Sequence, residues 1–182
     1  MNISRMKIFL LRHATPKIRK DIPYDILPGP ELSSRGEAEA QALGEFMKLE
    51  GLKKLYTSPF ERTARTAQII AEINGFPYLE EKRLAEWRGV DETETQVRRR
   101  MSSIFEQAAR ESMERGPIGL ISHGGPIALL LLELGISPDE LAPYRKMFDT
   151  TNPLPPAGAW RIKKAAEEED WDCQLVFTPT LL

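Results

Sequence analysis

The chain contains two histidines, and each directly follows a short apolar run, as Leu11-Arg12-His13 and Ile121-Ser122-His123. In open parallel sheets, functional groups gather at the carboxyl ends of strands, beside the point where strand order reverses. If these two runs form neighbouring strands, the imidazoles face each other across one pocket. Arg62 adds a third point, in the first turn of a helix that opens at Ser58-Pro59-Phe60-Glu61. The amino end of such a helix offers free N–H groups and a partial positive charge. Gly124-Gly125, after the second histidine, lets backbone approach a ligand closely. Arg12 and Arg62 each present a planar fork suited to phosphate, with His123 as a further donor and Gly124 beside it. The chemistry this set suits is the binding of a phosphate-like anion between two guanidinium forks and an imidazole. A lone histidine or arginine would read as an ordinary surface residue, as Arg65 does; the equivalent placement of both imidazoles is what carries weight.

The surrounding pattern supplies elements to position them. Lys7-Ile8-Phe9-Leu10-Leu11 and Ile118-Gly119-Leu120-Ile121-Ser122 lack polar alternation, as strands buried on both faces do. A Pro-rich stretch from Thr15 to Pro30 excludes regular structure. A helix follows from Leu32-Ser33-Ser34 to about Glu50, with Ala38, Ala42, Leu43, Phe46 and Met47 as its apolar face and Gly51 as its stop. Lys53 to Thr57 reads as a strand. Ser58, Pro59 and Glu61 then read as a capping box for a helix from Pro59 to about Ile73, ended by Asn74-Gly75. Tyr78 leads an edge strand toward Leu84, Glu86 to Glu94 is a polar loop, and Thr95 to Arg115 is helical up to Gly116-Pro117. His123 to Pro126 forms a tight turn before an apolar helix, Ile127 to Leu134, whose all-round hydrophobicity indicates core. Pro138 to about Phe148 is helical, Asn152 to Gly158 irregular, and Ala159 to Lys164 and Asp172 to Phe177 are strands joined by an acidic turn, Glu167 to Asp170. Strands alternating with helices predict an α/β fold, a three-layer sandwich with a mostly parallel central sheet flanked by helices.

With 182 residues, 41% of them hydrophobic and 29% charged, residues 1–182 are expected to form one globular domain. A net charge of −2 gives no reason to expect nucleic acid or membrane as a partner. The lone Cys173 forms no internal disulfide, no Cys or His cluster stands ready for a metal, and a reducing cytoplasm is the simplest compartment.

Leu11-Arg12-His13-Ala14 resembles the Arg-His-Gly signature of the histidine phosphatase superfamily, which includes the phosphoglycerate mutases. Ser58-Pro59-Phe60-Glu61-Arg62-Thr63-Ala64-Arg65-Thr66-Ala67 is similar to that family's Ser-Pro-x-x-Arg-Ala-x-x-Thr-Ala segment. Leu84-Ala85-Glu86 resembles its acid motif, Ser122-His123-Gly124-Gly125 its second histidine motif, and Leu32-Ser33 with Gly36 the start of its first helix. The order and spacings also agree, over essentially the whole chain. Ala14 departs from the usual glycine; Thr15 to Ile18 lacks the polar residues mutases use there; the segment after Glu86 is shortened.

The resemblance implies a phosphoglycerate-mutase-like fold and a phosphomonoesterase that needs no cofactor or metal and acts on a small phosphorylated metabolite. His13 would accept the phosphoryl group, its other ring nitrogen held by a backbone carbonyl, while Arg12, Arg62 and His123 hold the oxygens. Glu86 would protonate the leaving alcohol and must then be partly protonated at working pH; otherwise it is a loop carboxylate paired with Arg83 or Arg88. Lys17, Arg19, Lys20 and Arg88 would meet an acidic substrate or be ordinary solvated charges. Mutase-type transfer, hydrolysis of phosphohistidine on a protein, and a non-catalytic phosphate-sensing module stay open as alternatives, with hydrolysis favoured by the small size and short loops.

Overall fold

Side chains of β1 (Met6–Arg12) point alternately into two cores, Ile8 and Leu10 into one, Phe9 and Leu11 into the other, all of them fully buried. That explains why its apolar run carries no polar alternation. The computed structural model describes residues 6–148, 152–164 and 170–179. In chain order β1 is followed by α1 (Ser34–Leu49), β2 (Lys54–Thr57), α2 (Glu61–Asn74), β3 (Tyr78–Glu80) and a 3-10 turn at Lys82–Leu84. Then come α3 (Glu94–Arg115), β4 (Ile118–Ser122), α4 (Gly124–Glu133), α5 (Pro138–Phe148), β5 (Ala159–Lys164) and β6 (Asp172–Phe177).

The strands form one sheet in the order β3-β2-β4-β1-β5-β6. β3, β2, β4 and β1 run parallel; β5 and β6 add an antiparallel edge. On one face α1 and α2 cover Phe9, Leu11, Leu55 and Ile121 with Leu43, Met47, Ala67 and Ile70. On the other, α3 and α4 cover Ile8, Leu10, Ile118 and Leu120 with Met101, Ile104, Phe105, Ile127 and Leu130. Truncating one such leucine or isoleucine to alanine costs about 2–5 kcal/mol. The α/β sandwich with a mostly parallel sheet is thus present, and the apolar α4 is core. No helix among the described residues is long and apolar enough to cross a membrane.

Four local expectations change. Ala38 and Ala42 are exposed, while Leu43 and Met47 are buried as expected together with Gly36, Glu39, Ala40 and Gly44; Gly36 and Glu39 meet the turn after His13, and Gly44 meets Ile73 of α2. The edge strand stops at Glu80, where the chain tightens into the 3-10 turn. α4 begins at Gly124 with His123 as its N-cap residue, so the turn predicted at His123 to Pro126 is the first turn of the helix. The capping box at Ser58 is not formed: α2 starts at Glu61 behind Phe60, which makes no side-chain cap, and the Ser58 hydroxyl is engaged elsewhere. Thr63 secures that entry instead, donating from Oγ1 to the carbonyls of Ser58 and Phe60. Within the acidic turn, Glu167 to Glu169 lie outside the described residues.

Candidate active site

Parallel register pairs Arg12 of β1 with Ser122 of β4, so the next residues, His13 and His123, emerge side by side at the carboxyl edge. Their ring centroids are 5.3 Å apart. Ser58 leaves the end of β2 at the same edge, its N–H donating to the Ile121 carbonyl. Adjacent strand ends therefore deliver both histidines and the entry to α2 to one spot.

The His13 ring is fixed by its own turn. Nδ1 lies 2.8 Å from the Ala14 carbonyl oxygen, which only accepts, so Nδ1 carries the proton and Nε2 the lone pair. The Tyr24 hydroxyl donates to that Nε2 at 3.2 Å. The turn is pinned at Ala14, whose N–H donates to Thr66 Oγ1, and at Thr15, whose N–H and hydroxyl both donate to the buried Glu39 carboxylate. Gly36 permits this closeness: a Cβ there would stand 2.1 Å from the Thr15 carbonyl oxygen. Burial, reinforced by the nearby His123, Arg12 and Arg62, holds the His13 pKa well below 6.5, and the ring is neutral.

His123 is fully buried and spends both ring nitrogens inside the protein. Nε2 is 2.8 Å from Ser58 Oγ; Nδ1 is 3.0 Å from Arg62 Nη2 and 3.2 Å from Glu86 Oε2. Arg62, also fully buried, donates from Nη2 to Glu86 Oε2 at 3.1 Å. Glu86 therefore pairs with Arg62 and His123; Arg83 pairs with Glu81, and Arg88 with Asp25 and Asp91. The acid's loop is anchored from below: Ser122 Oγ donates to the Leu84 carbonyl, and Arg100 donates to the Arg83 carbonyl while pairing with Glu92.

The expectation that Glu86 is partly protonated is overturned for the unliganded protein. Burial alone would raise its pKa, but His123, the Trp87 N–H and Arg62 outweigh burial and bring it down to about 2. The pocket is rich in donors rather than anions, and the carboxylate is ionised. Burial lowers His123 to about 4 despite the upward pull of Glu86.

A cavity of about 510 Å³ opens over this edge, lined by Arg12, His13, Glu86, Gly124 and Gly125 together with Tyr24, Trp87 and Asn152. Arg62 and His123 do not line it; they stand behind its wall. Arg12 is nearly buried, gives Nη1 to the Leu154 carbonyl, and has an Nε with no partner among the described residues. No carboxylate among the described residues pairs with it. Arg62 Nε is likewise buried and unpartnered. A buried guanidinium without a counter-ion, at the rim of a cavity beside a helix amino end, is an electrostatic site for an anion. Gly124 has no room for a side chain, since a Cβ would lie 1.4 Å from Asn152 Oδ1.

Lys17, Arg19, Lys20 and Arg88 do not line the cavity. Lys17 pairs with Glu31 and Arg19 with Asp21 on the exposed surface, where such pairs contribute little. Reading the sequence missed Tyr24, Trp87 and Asn152, which sit in irregular segments without periodicity, and took the Ser58 hydroxyl for a helix cap. Among the described residues no group of three or more His, Cys, Asp or Glu could hold a metal ion.

Residues 8–91 match the histidine phosphatase superfamily (branch 1), a stretch that includes Arg12, His13, Arg62 and Glu86 but stops short of His123. Phosphoserine phosphatase 1 of Hydrogenobacter thermophilus is 34% identical over 90 residues, which is 47% of this chain and 43% of that protein. The matched stretch thus spans less than half of that curated relative. A mycobacterial glucosyl-3-phosphoglycerate phosphatase shares the fold at a TM-score of 0.71 with 19% identity, over 96% of this chain and 99% of the other. The phosphoglycerate mutase of Bacillus anthracis superposes at 0.74 with 14% identity, over 94% and 92% of the respective chains. Residues 8–91 are thus similar to the histidine phosphatase superfamily, and the fold shared over nearly the whole chain is that of the phosphoglycerate-mutase-like structures.

Proposed function

We propose that the protein is a phosphomonoesterase that carries the phosphoryl group on His13 Nε2 and acts on a small phosphorylated metabolite. The observation that carries this is the juxtaposition of a neutral imidazole, its Nδ1 locked on the Ala14 carbonyl, with the buried and unpaired Arg12 at the cavity rim. An imidazole so held directs its lone pair outward, and the guanidinium supplies the charge a phosphoryl oxygen needs.

In the first step Nε2 forms a bond to phosphorus as the ester P–O bond breaks, and the leaving alkoxide takes a proton from Glu86. In the second, water attacks phospho-His13, the P–N bond breaks, inorganic phosphate leaves, and Glu86 recovers the proton from the water. Glu86 is ionised in the empty site, so it takes a proton from solvent as the substrate binds and gives it up again when phosphate leaves. A phosphoryl dianion beside it adds negative charge and competes for the Arg62 donors, and both effects raise its pKa. Arg12, the Gly124 N–H and, once uncovered, Arg62 stabilise the transferring oxygens, each such contact worth about 3–4 kcal/mol in comparable oxyanion sites, while His123 holds Arg62 and Glu86 in place.

Hydrolysis rather than transfer between substrates is supported by the open cavity, which admits water to the phosphohistidine. The test is a side-by-side assay of p-nitrophenyl phosphate, 3-phosphoglycerate and a phosphohistidine protein, scored for inorganic phosphate and for 2-phosphoglycerate. Release of inorganic phosphate from a small ester without isomer formation is the result expected. Formation of 2-phosphoglycerate faster than phosphate would replace phosphatase by mutase.

A further inference from the structure

We infer that Tyr24 is an internal competitor at this site: its side chain holds the place of the incoming phosphoryl group, so a ligand binds only by displacing it. This rests on the phosphatase reading of the same site. The Tyr24 hydroxyl lies 3.2 Å from His13 Nε2, on the nitrogen's free lone pair. Reacting atoms poised for attack stand about 3–3.5 Å apart, so a phosphorus atom and this hydroxyl cannot occupy the position together. The ring covers Arg62, whose guanidinium carbon is 4.0 Å from its centroid. The Tyr24 carbonyl accepts from Arg62 Nη1 at 2.9 Å, and Nη2 is spent on Glu86 and His123. Ring and carbonyl together leave the guanidinium fully buried behind the cavity wall. A phosphoryl oxygen reaches Arg62 only after Tyr24 gives way.

The side chain has room to give way. Tyr24 is 44% exposed, which leaves it a path into solvent. The adjacent Asp25 meets Arg88 at 3.4 Å across the rim, a loose contact between two partly exposed side chains. The backbone stays held, at the Tyr24 carbonyl by Arg62 and further off where Lys17 N–H donates to Glu31 and Glu61 N–H to Pro28, so the movement needed is that of the side chain. Tyr24 therefore competes with any phosphoryl group, product phosphate included, and its return to Nε2 helps expel that product.

Tyr24→Phe removes the hydroxyl from Nε2 and keeps the ring on Arg62; Tyr24→Ala removes both. Calorimetric titration with inorganic phosphate is expected to show about threefold to tenfold tighter binding in Tyr24→Phe, the worth of one hydrogen bond, and tighter still in Tyr24→Ala. For p-nitrophenyl phosphate, KM falls while kcat changes less. The 15N resonance of His13 Nε2 in the unliganded protein shifts in Tyr24→Phe, because a donor has left it. Equal or weaker phosphate binding in both variants, or an unmoved Nε2 resonance, overturns the inference. Phosphate binding that tightens in the variants while no ester is turned over refutes the phosphatase reading and upholds the role of Tyr24. Absence of phosphate binding in wild type and both variants overturns the two together.

Discussion

The ends of β1 and β4 carry the same residue type at the same level of the sheet, yet their imidazoles have opposite surroundings. His13 anchors one nitrogen on the Ala14 carbonyl and turns the other to the cavity, where its neighbour is an exposed tyrosine. His123 turns both nitrogens inward, to Ser58 on one side and to Arg62 and Glu86 on the other. Symmetry of position therefore does not mean symmetry of role. A nucleophile needs one free nitrogen, a locked tautomer and access; an organiser needs all its bonds and no access. His13 is built for bond-making, and His123 for holding an arginine and an acid in one frame.

The sharpest way to challenge this division is to remove each ring in turn. His13→Asn should lower kcat more than about 1,000-fold with little loss of stability, because chemistry without the nucleophile has no substitute. His123→Asn should retain measurable turnover while weakening the Arg62–Glu86 frame. If kinetics and thermal unfolding rank the two the other way round, the roles are reversed.

Arg62→Met should cost about 3–5 kcal/mol of stability, since it leaves the buried Glu86 carboxylate short of its cation, as well as slowing catalysis. Arg12→Met, where no carboxylate depends on the arginine, should slow catalysis by about 100-fold to 1,000-fold and leave denaturant stability near wild type. Similar stability losses in both variants would erase the distinction between an arginine at the cavity and one in the frame.

Glu86→Gln should slow an alkyl ester about 100-fold and p-nitrophenyl phosphate much less, since only the poor leaving group needs the proton. An equal loss on both substrates would remove the acid role.

Acid stability provides a smaller, graded test. The folded pKa of His123 lies near 4, below its ordinary value of 6.5, so the unfolded chain takes up a proton first as pH falls. Stability is therefore fully present above about 6.5 and erodes toward 4. Glu86, depressed from 4.5 to about 2, adds a loss that begins below about 4.5. His123→Asn should flatten the upper part of the melting-temperature profile and, because Glu86 loses a group that depresses its pKa, weaken the lower part as well. An unchanged profile between pH 6.5 and 4 would mean that His123 is not buried neutral.

How far these features are legible in the chain depends on whether their causes are local. His13 and His123 follow from strand-end runs whose burial on both faces is written in the residues themselves. The position of Arg62 in a first turn is equally local, and survived a shift in where α2 begins. Ser58 shows the opposite case. A serine before Pro59 and Glu61 has every local mark of a cap, but an imidazole 65 residues further on takes its hydroxyl. The charge of Glu86 is set by α2 and by the end of β4, so no reading of Leu84-Ala85-Glu86 could supply it. Ala38 and Ala42 pass for part of the core face because they are small, whereas α1 adds to Leu43 and Met47 a glycine and a carboxylate, Gly36 and Glu39, that brace the His13 turn. Tyr24 and Asn152 lie in Pro-rich segments, where neither periodicity nor capping gives a signal.

A rapid-quench experiment with a phosphorus-labelled ester, followed by mapping of the acid-labile label, examines the phosphohistidine itself. A stoichiometric burst of label on His13, absent in His13→Asn and longer-lived in Glu86→Gln, is what this site should give. Steady release of phosphate with no label on His13, or with the label on another residue, would contradict it.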